Sequence, residues 1–230
     1  MENKMFCYQC QETAGCAGCT SYGVCGKSLE VAGMQDLLIY VTKGLCSVTT
    51  ELRAQGSKIS KEVDHYITLN LFTTITNANF DEEIIYQRVV ETLKTKEELL
   101  KQLNDKTELS EAAIWYTQSR EEMIQKASKV GVLATENEDI RSLRELIIYG
   151  VKGLAAYMKH ANVLHHDSEA VNTFMQKAMS DVQKELSVEE LIALTMETGK
   201  MGVEAMALLD GANTGTYGHP EMTKVNIGTG

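Results

Sequence analysis

The stretch that decides the fold occurs twice, as Met34-Gln-Asp-Leu-Leu-Ile-Tyr-Val-Thr-Lys-Gly-Leu45 and as Leu143-Arg-Glu-Leu-Ile-Ile-Tyr-Gly-Val-Lys-Gly-Leu154. The two copies match at six of twelve positions and begin 109 residues apart (143 − 34). Their apolar residues recur every three or four positions, which is the period of one face of an α-helix. The repeat therefore predicts two equivalent helices, each at the start of its own helical unit.

A lysine and a glycine occupy matching positions in both copies. A glycine inside a helix costs about 1 kcal/mol relative to alanine, so we expect another backbone to approach closely at Gly44 and at Gly153. The preceding residues, Lys43 and Lys152, are expected to have a packing role, with their alkyl stems lying along apolar surface.

Capping signals mark where the other helices begin. Thr135 with Glu138, and Ser187 with Glu190, have the spacing of a capping box. No segment shows sustained strand-like alternation, so the sequence predicts an all-α chain up to Gly211. The expected first residues are Ser28, Ser60, Asp81, Ser110, Thr135, Ser168 and Ser187, and the expected ends lie near Gly56, Asn77 to Asn79, Leu103, Gly131 and Gly211.

Each copy of the repeat is followed by two further helix signals, so we predict two consecutive three-helix bundles behind an N-terminal cysteine-rich loop. Residues 1–27 form the predicted cysteine-rich loop. Residues 28–109 form the first bundle, residues 110–136 a connecting helix and residues 137–211 the second bundle. Residues 212–230 are rich in glycine and hold the only proline, so they are interpreted as a linker.

The composition is that of an ordinary globular protein of 230 residues, with 43% hydrophobic residues and a net charge of −10. A phosphate backbone would meet a surface of its own sign, so no nucleic-acid partner is expected. No stretch approaches the ~18–20 apolar residues of a membrane span, and the first residues lack the apolar core of a signal peptide. We therefore expect a cytoplasmic protein.

Six cysteines give the chain its chemical character, and five of them lie within the nineteen residues from 7 to 25. Disulfides are rare in the reducing cytoplasm, so such a cluster indicates metal or redox chemistry. Four converging thiolates can hold either zinc or an iron–sulfur cluster.

Two sets of four cysteines have ligand-like spacing. Cys7, Cys10, Cys16 and Cys19 form two C-x2-C pairs, as in zinc knuckles, but the gap of five residues is short against the usual ~12–20. Cys7, Cys10, Cys19 and Cys25 have the spacing C-x2-C-x8-C-x5-C. Spacing alone does not decide between zinc and iron–sulfur.

The flanking residues resemble a known family. Three stretches are similar to the N-terminus of hybrid cluster proteins, also called prismane proteins or hydroxylamine reductases: Phe6-Cys-Tyr-Gln-Cys-Gln-Glu-Thr13, Gly23-Val-Cys-Gly-Lys27 and Gln35-Asp-Leu-Leu-Ile-Tyr40. Asn213-Thr-Gly-Thr-Tyr-Gly-His-Pro220 resembles the segment by which that family leaves its helical domain, so the resemblance spans the whole chain.

The resemblance implies that Cys7, Cys10, Cys19 and Cys25 hold a [4Fe–4S] cluster. A second type in the family spaces its last two cysteines differently and carries [2Fe–2S]. Cys16 lies outside the implied set and is an alternative ligand if the loop shifts, whereas Cys46 is expected to be a small buried residue on its helix.

The family has two further α/β domains, whose histidine, glutamate and cysteine residues hold a hybrid Fe–S–O cluster that reduces hydroxylamine or nitric oxide. No cysteine follows Cys46, so we expect this chain to be the helical domain alone, with no catalytic residue of its own. Its implied role is electron relay between a protein donor and the missing α/β domains.

Two other expectations accompany this one. A homo-oligomer is retained as a candidate assembly. The alternative function is a structural or interaction module in which zinc or an iron–sulfur cluster serves only as a staple.

Overall fold

The computed structural model describes residues 5–10, 12–75, 79–106 and 109–228. Within these ranges the chain forms eight α-helices and two short 3-10 helices, and no β-strand, which confirms the all-α prediction. The α-helices are α1 Leu29–Ala54, α2 Lys61–Ile75, α3 Glu82–Leu100, α4 Glu111–Ile114, α5 Arg120–Ala127, α6 Glu138–Val163, α7 Glu169–Asp181 and α8 Val188–Tyr217. Among the described residues, none of these helices combines the length and apolar character that a membrane crossing needs.

Most helices begin where the capping signals predict. The side chains of Ser28, Asp81, Ser110 and Ser168 each accept a backbone N–H from the first turn of the helix that follows. The Ser187 hydroxyl accepts the N–H of Glu190, whose carboxylate accepts the N–H of Ser187 in return, so this capping box is confirmed.

The capping prediction at Thr135 is wrong. The cap of α6 is Asn137, whose side-chain oxygen accepts the N–H of Ile140 at 3.0 Å. Asparagine is a stronger N-cap than threonine. Thr135 instead follows the 3-10 helix Val132–Ala134 in extended backbone conformation.

Two helix limits also differ from the sequence prediction. The single segment expected from Ser110 is split, because Trp115 leaves the helical conformation after α4 and Ser119 caps the new helix α5. The last helix continues past Gly211 to Tyr217 and ends at Gly218, which has a φ of 79°. The expected end near residues 77–79 falls mostly on residues 76–78, outside the described part of the chain.

Helix α1 lies centrally, in contact with α2, α3, α4, α5 and α7, while α6 packs on α2, α7 and α8. The largest apolar cluster contains residues of α1 and α2 together with residues of α6, α7 and α8. Helices of both predicted bundles therefore share one core, and the division into two three-helix units stays a prediction. Cys46, on α1, is fully buried in this core, as expected.

A cluster of three polar side chains joins helices α1, α2 and α7 beside this core. Arg53 of α1 donates to the Asp64 carboxylate of α2 at 2.8 Å, and Gln176 of α7 donates to the same carboxylate oxygen at 2.6 Å. Arg53 also donates to the side-chain oxygen of Gln176. The buried carboxylate is thus paired and hydrogen-bonded, which is the condition for burying a charge at low cost.

The two matched glycines have different surroundings. The backbone of Ala112 and Ala113 in α4 lies directly against Gly44. No described atom outside its own helix lies within 4 Å of the position that a Cβ on Gly153 would occupy. The expected backbone approach is therefore confirmed at Gly44 and wrong at Gly153, because no partner corresponding to α4 covers that face of α6 in the described chain.

Candidate metal centre

The N-terminal loop closes on itself through two cysteines. Cys7 donates its N–H to the carbonyl oxygen of Cys19 at 3.0 Å, and Cys19 donates its own to that of Cys7 at 2.9 Å. The Thr13 hydroxyl donates to the Cys7 carbonyl oxygen at 3.0 Å. Between Cys7 and Cys19 the chain reverses at Gly15 and Cys16, which have φ values of 59° and 55°.

The two paired cysteines have different electrostatic environments. Backbone N–H groups of Ala14 and Val24 point at the sulfur of Cys19 and lower the pKa of this buried thiol. Burial raises the pKa of Cys7, and the Lys27 ammonium, 3.8 Å from its sulfur, opposes that rise. Both sulfurs therefore lie beside groups that favour the thiolate, which is the form that binds metals.

The remaining cysteines of the loop are at least partly accessible to solvent. Cys10 is half-buried, and Cys16 and Cys25 are exposed. The structure thus brings Cys7 and Cys19 together, but in the described part of the chain no three cysteine, histidine, aspartate or glutamate side chains converge on one metal position. The set Cys7, Cys10, Cys19 and Cys25 accordingly stays a prediction.

Two buried lysines lie under the loop. Lys27 and Lys152 are each only 1% exposed. Lys27 donates to the side-chain oxygen of Gln35 on α1 at 2.5 Å. Lys152, on α6, donates to the side-chain oxygen of Gln9, which lies between Cys7 and Cys10 in sequence. The loop is therefore held to both helices of the repeat.

These lysines are the part of the site that the sequence prediction missed. Lys152 is buried, as its expected packing role requires, but its ammonium also reaches the loop. Lys27 enters the sequence prediction only as the last residue of the stretch Gly23-Val-Cys-Gly-Lys27 that resembles the family. The available signals were the repeated lysine in the second helix and the position of Lys27 directly after Cys25-Gly26.

Acidic groups accompany the lysines. Burial raises the pKa of Asp36 to about 7, and the charges of Lys152 and Lys27 oppose the rise. Burial lowers the pKa of Lys152 to about 8, while Glu145 and Asp36 act in the other direction. The base of the loop thus brings the buried Lys27 and Lys152 near the partly buried carboxylates of Asp36 and Glu145.

The chemistry of these residues fits a thiolate-bound centre. Sulfur is the donor that zinc and iron–sulfur clusters select. N–H donors to the sulfurs and nearby cations stabilise the negative charge that such a centre carries. The observation specific to this chain is that the Cys7 sulfur already lies beside the Lys27 ammonium and that the Cys19 sulfur already accepts the backbone N–H of Ala14.

The chain is similar to curated proteins that are named hydroxylamine reductase. The hydroxylamine reductase of Desulfovibrio desulfuricans is 57% identical over 231 residues, covering 100% of this chain and 42% of the relative. That of Clostridium perfringens is 58% identical, covering 97% of this chain and 42% of the relative. Hydroxylamine reductase 2 of Clostridium acetobutylicum is 55% identical, covering 97% and 44%.

This chain spans less than half the length of these curated relatives. The model of the Prismane/CO dehydrogenase family matches residues 5–230, which include the cysteine loop and all eight helices. Both the predicted resemblance and the extent of the match are thereby confirmed, and the chain belongs to the Prismane/CO dehydrogenase family.

Proposed function

We propose that this chain is the iron–sulfur electron-transfer part of a hydroxylamine reductase, with Cys7, Cys10, Cys19 and Cys25 holding one [4Fe–4S] cluster. The observation that carries the proposal is the Cys7–Cys19 pair, which is closed by backbone hydrogen bonds and lies beside the Lys27 ammonium. Family membership and the relatives' names support the same assignment.

When bound, such a cluster supplies a site that accepts and releases one electron. The N–H groups of Ala14 and Val24 lie on the sulfur of Cys19 and stabilise its negative charge. The Lys27 ammonium does the same for Cys7. Lys152 holds the intervening Gln9. These residues fix the loop and compensate its charge, which favours the more negative, reduced state.

In the complete protein we propose that the electron comes from a protein donor and passes to a catalytic site in the part of the relatives that this chain does not cover. Reduction of hydroxylamine or nitric oxide would take place there, in the cytoplasm. This chain alone is then a relay. Incubation with reduced viologen and hydroxylamine should give no turnover.

The proposal is tested by reduction of anaerobically prepared protein. A brown protein that accepts one electron reversibly, and shows an electron paramagnetic resonance signal of a reduced cluster, supports the relay. A colourless protein containing one zinc, with no redox signal, contradicts it and supports the structural staple. Replacing Cys7 by serine should abolish the redox signal, and replacing Cys46 by serine should leave it intact.

A further inference from the structure

The second copy of the repeated helix contacts the cysteine loop through one side chain. Lys152 of α6 donates to the side-chain oxygen of Gln9 across 143 positions of sequence, with both residues buried. Gln9 lies two residues from Cys7 and one from Cys10. Its backbone also hydrogen-bonds the Cys7 sulfur and opposes the rise that burial causes in the pKa of that thiol. Gln9 therefore connects the lysine to the first two cysteines.

The matched lysine of the first copy behaves differently. Lys43 is desolvated near Glu145, Arg144 and Asp36, but its ammonium has no hydrogen bond to the described residues of the loop. Burying a lysine is costly unless the charge is paired and hydrogen-bonded. Lys43 of the first copy therefore lies among charged residues of α1 and α6. Lys152 of the second copy instead contacts the loop at Gln9.

We propose that Lys152 is a positioning residue of the metal centre, which fixes the Cys7–Cys10 turn through Gln9 and adds a buried positive charge that raises the cluster's reduction potential. The claim that Lys152 fixes the Cys7–Cys10 turn concerns the loop itself. The claim that its charge raises the reduction potential rests on the proposed function. Residues that orient metal ligands in this way typically change metal affinity by about 10–100-fold when replaced.

The positional part is tested on metal-free protein by alkylation of each cysteine, followed by peptide mass spectrometry. Lys152→Met should increase the alkylation rate of Cys7 by about tenfold, on the scale of such outer-shell effects. Gln9→Ala should do the same, and the double variant should add little to either change. Lys152→Arg should retain most of the protection. Cys46 should stay unlabelled in every variant, which reports an intact helical body.

Lys43→Met is the matched control, since it removes the corresponding lysine of the other copy. It should leave the alkylation of Cys7 near the parental rate. Equal labelling of Cys7 in the parent and in Lys152→Met contradicts the proposal, and so does an equal increase in Lys43→Met. If Lys152→Met labels Cys46 as well, Gln9→Ala decides, because a loop substitution leaves the helical core in place.

The electrostatic part is tested by a redox titration of cluster-loaded protein. Lys152→Met should lower the reduction equilibrium constant on the order of tenfold, which corresponds to about 59 mV for one electron. Lys152→Arg should keep it near the parental value. An unchanged potential in Lys152→Met contradicts the role of the charge. If neither the parent protein nor any variant takes up a cluster, the proposed function is contradicted. The alkylation result then still decides whether Lys152 positions the loop.

Discussion

The backbone carbonyl of Ala112 occupies the space in which Gly44 would carry a side chain. A Cβ built on Gly44 would lie 2.5 Å from the carbonyl carbon of Ala112 and closer still to its oxygen. The same carbonyl oxygen accepts the ammonium of Lys96 at 2.7 Å. Gly44 therefore allows α4 to lie directly on α1, with a buried lysine of α3 holding it there.

Gly44→Ala should destabilise the protein by about 1–3 kcal/mol, because α4 must move to admit the methyl group. Gly153→Ala is the matched control in the second copy. No described atom would meet its Cβ, so the gain in helix propensity should stabilise by up to about 1 kcal/mol. Urea denaturation measures both. A Gly44→Ala variant as stable as the parent would show that α4 does not pack as described.

Asp64→Ala should cost about 3–5 kcal/mol, because it leaves the Arg53 side chain, only 16% exposed, without its carboxylate. Glu83→Ala serves as a control, since Glu83 pairs with Arg120 on the surface, where both side chains are largely exposed. Its loss should lower the denaturation midpoint far less, because solvent screens an exposed ion pair. Denaturation midpoints distinguish the two, and similar costs would contradict the buried role of the Arg53–Asp64 pair.

Asn137→Ala should destabilise the protein by about 1 kcal/mol, because α6 loses the side chain that caps it. Thr135→Ala should have a smaller effect, although the spacing of Thr135 and Glu138 predicts the cap at Thr135. Thermal unfolding of the two variants makes the comparison. A larger loss at Thr135 would restore the original capping prediction.

Lys96 should make a contribution to the stability of the protein that grows between about pH 8 and pH 10. Burial lowers the pKa of Lys96 to about 8, whereas an unfolded lysine titrates near pH 10.4. In this window the unfolded chain binds the proton and the folded chain does not, so raising the pH favours folding. Lys152, with a pKa of about 8, adds a contribution of the same sign.

Lys96→Met isolates that contribution. The variant loses donors to the carbonyl oxygens of Ala112 and Trp115, so its overall stability should fall. The informative quantity is the slope of unfolding free energy against pH, which should be smaller than in the parent. An unchanged slope would show that Lys96 stays protonated in the folded protein throughout this range.

Much of the fold was predictable because helix starts are local. Ser28, Asp81, Ser168 and Ser187 cap helices with their own side chains, so short sequence patterns carry the information. The continuation of α8 past Gly211 was not predictable in this way. A single helical glycine costs only about 1 kcal/mol, and the helix ends instead at Gly218, where the backbone turns left-handed.

The candidate site likewise has one part that local sequence predicts and one part that depends on how the helices pack. The cysteines lie close together in sequence, so their spacing and the residues beside them indicate that they are candidate metal ligands. The contact between Lys152 and Gln9 joins residues 143 positions apart, so it depends on how α6 packs beside the loop. The repeated lysine indicated only that the position mattered, and the same pattern predicted a backbone contact at Gly153 that the described structure does not have.

The most direct test of the central claim is the iron and sulfide content of anaerobically prepared protein and its single cysteine-to-serine variants. The parent, Cys16→Ser and Cys46→Ser should each contain about four irons and four sulfides per chain, the content of one [4Fe–4S] cluster. The Cys7, Cys10, Cys19 and Cys25 variants should lose most of both. One zinc without sulfide in the parent, or loss of iron in Cys16→Ser with retention in Cys25→Ser, would contradict the claim.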